Sequence, residues 1–318
     1  MLCEFAHSFP IHLANLLERD RHLTRNFREE TGTDALMMGL VPLEPFGIHV
    51  DFPDEAVTGA DMDWIYAAPH EISGGSYLRL LIQAKRAKEQ RLKDGSSYWY
   101  YDHLDHGDPK GSQAQTLVSY AATSPDGMAT LPLYIFYHPK SALQPAARYR
   151  PPVEGVNLTF ACDVAAVVAD GCGREQKRVG FWRDGFLSLP DLLCWPLIDP
   201  LVPPSPPSPG ATEFLSARGL EATYYAGAAF HPDLIAERLN SAREESDPAS
   251  DIDGDLTIAR PGQGIPDEIT RAIDGKVTKE DRKRLKRPRV VLSTRLTRDD
   301  PRFGLARERA RRPRRDRR

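Results

Sequence analysis

Asp61-Met62-Asp63-Trp64-Ile65-Tyr66 and, a short interval later, Leu78-Arg79-Leu80-Leu81-Ile82-Gln83-Ala84-Lys85-Arg86 are the two stretches that decide the fold. The first alternates acidic and apolar residues, the period of a strand with one polar and one apolar face. The second also reads as a strand. The interval holds Pro69 and Ser73-Gly74-Gly75-Ser76, which is the chemistry of a hairpin loop. Side chains two apart on a strand share a face. Asp61 and Asp63 therefore stand together, as do Gln83 and Lys85. An antiparallel register with Asp61 opposite Lys85, Asp63 opposite Gln83 and Tyr66 opposite Leu80 centres the turn on Ser73. It gathers two carboxylates, an amide and an ammonium. The same alternation also fits a solvated hairpin face, on which Lys85 is merely the cross-strand partner of the acids.

Working outward, residues 11–24 carry Leu13, Leu16, Leu17 and Leu23 at helical spacing. A second helix is expected near 26–40, with Gly32 inside it, ended by Pro42, Pro45 and Gly47. Residues 111–122 read as a helix, and the apolar, aromatic run 131–138 as a central strand buried on both faces. The order through residue 138 is helix, strand, strand, helix, strand, an α/β pattern with a mixed sheet flanked by helices. The apolar stretches 156–169, read as β-prone, and 186–198 complete the first domain as an accessory layer. Pro203-Pro204-Ser205-Pro206-Pro207-Ser208-Pro209-Gly210 reads as an extended linker. Beyond it, one or two helices are expected within 211–245, a polar and loosely ordered stretch over 246–289, and a short strand at 290–296. The expected organisation is a domain over 1–200 (core about 20–140, accessory layer 150–200), a Pro-rich linker over 201–210, and a partly helical, basic extension over 211–318.

Composition, at 41% hydrophobic and 27% charged residues, is that of a soluble globular chain. No run of about 18 apolar residues exists to span a bilayer, and Met1–Pro10 lacks the pattern of a signal peptide. A cytoplasmic protein without membrane contact is expected. Cys3, Cys162, Cys172 and Cys194 match no zinc spacing and read as reduced thiols. Charge is unevenly spread. Residues 281–318 hold 17 Lys+Arg against 5 Asp+Glu, and the remaining residues 25 against 40. A basic tail on an acidic body suits a nucleic-acid tether, or a solubilising tail. There is no phosphate-binding Gly-rich loop, no H-E-x-x-H and no G-x-S-x-G, which argues against the nucleotide, zinc-protease and serine-hydrolase classes those motifs serve.

Paired carboxylates, an amide and a lysine have a chemical rationale. Phosphodiester hydrolysis needs a hard cation to polarise the phosphoryl oxygen and supply a water nucleophile, and Mg²⁺ takes only one or two carboxylates from its protein. A lysine beside the metal orients the water and offsets charge in the transition state.

Gly59-Ala60-Asp61-Met62-Asp63-Trp64 followed by Leu81-Ile82-Gln83-Ala84-Lys85-Arg86 resembles the G-x-D … (V/I)-Q-x-K signature of the PD-(D/E)XK nuclease superfamily. It is most similar to the branch of Mrr-type restriction enzymes and Holliday-junction resolvases, in which glutamine replaces the usual acid. The resemblance covers less than half the chain. It implies a restriction-endonuclease-like fold and Mg²⁺ (or Mn²⁺) as cofactor. The implied partner is nucleic acid, DNA before RNA, with a homodimer or a partner protein left open. It also implies a setting in restriction or defence against foreign DNA. Asp61, Asp63 and Gln83 would hold the metal and Lys85 would act on the water. A further acid from the first core helix would be Glu30, with Asp34 one turn later as the alternative. Pro53-Asp54-Glu55 also resembles the signature but ranks lower, because it reads as loop. The rival expectation is a binding module that keeps this fold without the chemistry.

Three other features stand outside this signature. Tyr98-Trp99-Tyr100-Tyr101 suits packing, or base stacking beside a nuclease site. His103 and His106 lack a third ligand for a metal. Gln113, at the start of a helix, either caps that helix or lines the site.

Overall fold

The computed structural model describes residues 2–23, 27–53, 61–68, 75–108, 111–123, 127–147, 150–194, 231–246, 258–294, 297–299, 303–304 and 307. In chain order the larger elements are α1 (Leu2–Asp20), α2 (Glu29–Leu40), β1 (Ile48–Asp51), β2 (Met62–Ala67), β3 (Ser76–Arg91) and β4 (Ser97–Tyr101). Two short strands follow, β5 (Gly107–Asp108) and β6 (Gly111–Ser112), then α3 (Gln113–Thr123), β7 (Thr130–Tyr137), β8 (Val156–Phe160) and α4 (Ala161–Ala169). The rest are α5 (Val179–Trp182), β9 (Leu187–Ser188), α6 (Leu189–Leu193), α7 (Pro232–Ser246), β10 (Gly262–Gln263), α8 (Asp267–Ile273), α9 (Lys279–Arg284) and β11 (Arg289–Ser293). Among the described residues no helix is long and apolar enough to cross a membrane.

Nine of these strands form one mixed sheet, with spine β1-β11-β2-β3-β7-β8-β9 and with β4 and β10 also pairing to β3. Strand β2 runs antiparallel to β3, and β3 parallel to β7. Alternation along the central strands sends even residues of β2 and β3 (Trp64, Tyr66, Leu80, Ile82) to one face, against Leu13 and Leu17 of α1, Leu36 of α2, Leu192 of α6 and Leu239 of α7. Odd residues face the other way. There Leu81, Tyr134 and Phe136 meet Leu117 of α3 and Val164 of α4, while Ile65 and Tyr77 meet Ile269 of α8. The α/β class with a mixed sheet flanked by helices is thus observed. Gly32 sits within α2 without breaking it, because a Cβ there would lie 2.7 Å from the Tyr137 ring; the bare backbone lets the helix approach β7.

Four expectations are corrected. The stretch 156–169 is strand only to Phe160, and Ala161–Ala169 is helix α4, whose Ala161 and Val164 pack on the aromatic layer of the odd face. The polar stretch 246–289 is not loosely ordered over 262–284. Ile265, Ile269 and Ala272 bury against Tyr77, and Asp281 closes a capping box with Thr278 while binding Arg271. The basic extension is not separate from the first 200 residues: β11 lies between β1 and β2, antiparallel to one and parallel to the other. Its Val290 and Leu292 are fully buried in the same core as Trp64 and Tyr66. Finally, Cys3 and Cys194 are paired as a disulfide, 191 residues apart in sequence, and only Cys162 and Cys172 are free thiols. The expected linker 201–210 and the part of the expected helical stretch from 211 to 230 lie outside the described residues.

Candidate active site

The β2–β3 hairpin has the expected faces and a different register. Met62 pairs with Ile82, Asp63 with Leu81 and Tyr66 with Leu78, a slip of two residues from the register read in the sequence. Two residues is one full strand period, so each side chain keeps its face while its neighbours change. Asp61, just ahead of β2, donates its N–H to Ile82 O at 3.0 Å and so lies across from Gln83. The centre of the turn lies outside the described residues, as do Asp54 and Glu55.

The slip separates the two acids. Asp63 becomes the diagonal neighbour of Arg79, whose Nε and Nη2 donate to its two oxygens at 3.2 and 2.9 Å. Both side chains are 3% exposed. Arg287 and Arg289 approach the same carboxylate at 3.9 and 4.0 Å. Asp63 is therefore a buried acid closed by arginines, and the expectation that it joins Asp61 as a metal ligand is corrected.

Asp61 keeps different company. Its Oδ2 accepts from the Gln83 amide and from the Ala84 N–H, each at 2.5 Å. Lys85, buried on the same face, donates from Nζ to Gln113 Oε1 at 3.0 Å and lies 3.8 Å from Glu29 Oε2. Gln113, the first residue of α3, thus lines the cluster rather than capping its helix. Glu29 Oε1 also accepts from the Arg86 N–H at 3.4 Å. Burial pushes the Asp61 carboxyl up to about 7 against the Ala84 hydrogen bond and the Lys85 charge, with the like charges of Glu29 and Glu30 adding to the rise.

The helix acid that reaches the cluster is Glu29, one position before the residue singled out from sequence. Glu30 and Asp34 are both exposed. The Glu30 charge is felt by Asp61, and the carboxyl of Asp34 is raised by burial and by Glu30. The neighbour of Gln83 on β7 is Tyr134. Tyr134 is fully buried, and its hydroxyl has no hydrogen-bond partner among the described residues. Burial raises its ionisation, with the Asp61 and Glu29 charges adding to it. Sequence reasoning missed Tyr134 and Glu29. The two-residue strand period of β7 placed Tyr134 on the site face, but the 131–138 run reads as core throughout.

Of the remaining candidates, Tyr101 is packing: it is fully buried, stacks on Phe136 at 4.1 Å and bonds His138 Nε2 at 2.6 Å. His103 is exposed and lies 3.3 Å from Asp102; it meets His106 edge-on at 5.6 Å. Elsewhere, the ligand atoms of Cys3, His7 and Cys194 lie within 4.8 Å of one another, the two sulfurs being taken up by the disulfide.

Residues 2–302 match a family described as a family of unknown function (DUF6615). No curated protein and no solved structure matches the chain.

Proposed function

The chain belongs to the DUF6615 family of unknown function, and we propose that it is a metal-dependent nuclease with a PD-(D/E)XK, restriction-endonuclease-like core. It hydrolyses phosphodiester bonds of nucleic acid, DNA before RNA, in the setting of restriction or defence against foreign DNA. The observation that carries this reading is the convergence of Asp61, Gln83, Lys85 and Glu29 from β2, β3 and α2.

The donor set fits a hard cation. Two carboxylates and an amide oxygen are the ligands Mg²⁺ or Mn²⁺ prefers. A carboxyl held near 7 by burial is a site that lacks compensating positive charge. The buried Tyr134 hydroxyl, without a hydrogen-bond partner among the described residues, is a polar group beside the cluster whose hydrogen bond is left for a ligand to make. Asp61, Glu29 and the Oε1 of Gln83 would hold the ion, which when bound polarises a phosphoryl oxygen and lowers the pKa of a water. Lys85, fixed between Glu29 and Gln113, presents its ammonium to the charge that develops on the phosphorane. Gln113 positions Lys85 through the 3.0 Å hydrogen bond.

One observation favours a second reading. Asp61 already accepts two hydrogen bonds from Gln83 and Ala84, so the network closes without a cation, as in a binding module that kept the fold and lost the chemistry. Cleavage assays separate the two. The full chain is incubated with plasmid, single-stranded DNA and RNA in Mg²⁺, Mn²⁺ or EDTA. Cutting in either metal and none in EDTA is expected, and Lys85→Ala should lower the rate by about 10²–10³, the range seen when one transition-state donor is removed. Activity left unchanged in Lys85→Ala and in Asp61→Asn would place the chemistry elsewhere.

A further inference from the structure

A cavity of about 710 Å³ opens beside the Asp61 cluster. Glu29 and Glu30 line it, and Glu29, which lies 3.8 Å from Lys85, is the residue the cavity shares with the site. The opposite wall is the arm made by the outer half of β3 and by β4, which contributes Lys88, Arg91, Trp99 and Tyr100. Strand β3 is buried through Ala87 and then runs out of the core. The strand that holds Lys85 therefore also fixes Lys88 and Arg91 at a set distance from it.

Strand β4 is held in place through Trp99, on the face opposite Tyr100, before any ligand arrives. The Arg21 guanidinium lies over the Trp99 ring, 5.1 Å from its centroid, and is itself held by Glu18 at 2.5 Å and Glu89 at 2.6 Å. Lys88 keeps half of its side chain exposed while bonded to Asp102. Arg28, at the mouth, is exposed at the N-terminus of α2. Half-buried rings interleaved with cations make a surface on which a base stacks and a phosphate is neutralised. The cavity volume lies in the range of small-molecule pockets, roughly 300–1,000 Å³.

We infer that this cavity receives an unpaired nucleotide adjacent to the scissile phosphate, so that the chain acts on single-stranded or locally unpaired nucleic acid. The inference rests on the nuclease reading of the Asp61 cluster. A base within a duplex is stacked on both faces and cannot enter a concave pocket, whereas a single-stranded, bulged or extruded base can. The Tyr100 ring, on the face of β4 it shares with its strand partner Lys88, takes the base, and Arg28 and Lys88 take the flanking phosphates. Duplex DNA without a defect meets only the rim.

The test measures binding apart from cutting. Anisotropy of labelled probes is read with the full chain in EDTA, using a single strand, the matching duplex and the duplex with a one-nucleotide bulge. The single strand and the bulged duplex should bind at least about tenfold more tightly than the perfect duplex. Tyr100→Ala should weaken those two probes by about five- to a hundredfold, the span of removing one base stack, with little effect on the perfect duplex. Lys88→Ala should reduce the slope of log affinity against log salt by about 0.7, the share of one neutralised phosphate on a single strand. Circular dichroism melts confirm folding, and Trp99→Phe, which keeps a ring, should retain the preference. Equal affinity for all three probes, unchanged in Tyr100→Ala and Lys88→Ala, overturns the inference, as does the absence of binding to any probe. Pocket-dependent binding without cleavage in any metal would sink the nuclease reading and leave the pocket standing. Cleavage insensitive to both pocket variants would do the reverse.

Discussion

Asp61 carries a cost of burial that its hydrogen bond from Ala84 and the Lys85 charge do not offset, and the sign of its pH dependence follows. Its carboxyl titrates near 3.8 when exposed and at about 7 in the fold. Between those values the folded state binds more protons than the unfolded one, so this group makes stability fall as pH rises from about 4 to about 7. Asp61→Asn should therefore raise the melting temperature at pH 8 and change it little at pH 4. Binding of Mg²⁺ or Mn²⁺ needs the ionised form, so the metal-induced rise in melting temperature should grow up to about pH 7, then level off, and vanish in Asp61→Asn. A metal response independent of pH between 5 and 8 would remove Asp61 from the ligand set. Asp63 has the opposite character. Arg79→Met removes both short hydrogen bonds of this buried pair and leaves Asp63 only the more distant Arg287 and Arg289, so it should cost about 3 kcal/mol in denaturant melts, the low end of the range for breaking a buried pair. Lys85→Ala, by contrast, should lower cutting by about 10²–10³ with a much smaller loss of stability. In the sequence the two acids look alike, two apart on one strand. What separates them is the register, set by packing of Trp64 against Leu80, and two arginines more than 220 residues away. Neither leaves a local signature.

At the level of elements, α2, β2, β3, α3 and β7 were legible because each carries its own period, 3.6 or 2, over enough residues. The strand β11 was legible as a strand but not as a neighbour of β2, since parallel pairing of distant segments has no turn to announce it. Helix α4 was misread because Val164, Val167 and Val168 favour strands by intrinsic preference, which packing on α3 and β7 overrides. Helices α8 and α9 were missed because their polar composition hides two buried apolar residues, Ile269 and Ala272, and a capping box. The position of β11 changes what a truncation means. Deleting 281–318 removes an internal strand with three buried residues, Val290, Val291 and Leu292, and exposes the edges of β1 and β2. That chain should be insoluble or lack a cooperative melt. Deleting 308–318 removes none of the described residues and should leave the melting temperature within about 2 °C of the full chain. Equal melts for both deletions would contradict the placement of β11.

For the whole molecule, charge is distributed against the proposed substrate. Residues 1–307 hold 35 Lys+Arg against 43 Asp+Glu, while 308–318 hold 7 Arg against 2 acids. An acidic body repels a polyanion at long range, so attraction must come from local cations: those lining the cavity and those of the C-terminal eleven residues. The two act differently. In the proposed complex cavity cations would touch one nucleotide and set preference among substrates, whereas a run of arginines neutralises phosphates without regard to base or pairing. Removing 308–318 should therefore lower affinity for single-stranded, bulged and perfect duplex probes by a similar factor, leaving their ranking unchanged. Each phosphate that the chain no longer neutralises lowers the slope of log affinity against log salt by about 0.9 on duplex DNA, so withdrawing three or more arginines from phosphates should lower it by at least about 2.7. Affinities measured from 50 to 200 mM salt, with the deleted and full chains melting alike, give this slope directly. An unchanged slope would show that the C-terminal arginines do not meet nucleic acid. A changed ranking would show that they take part in selecting the unpaired nucleotide, and the division of labour between tail and cavity would have to be redrawn.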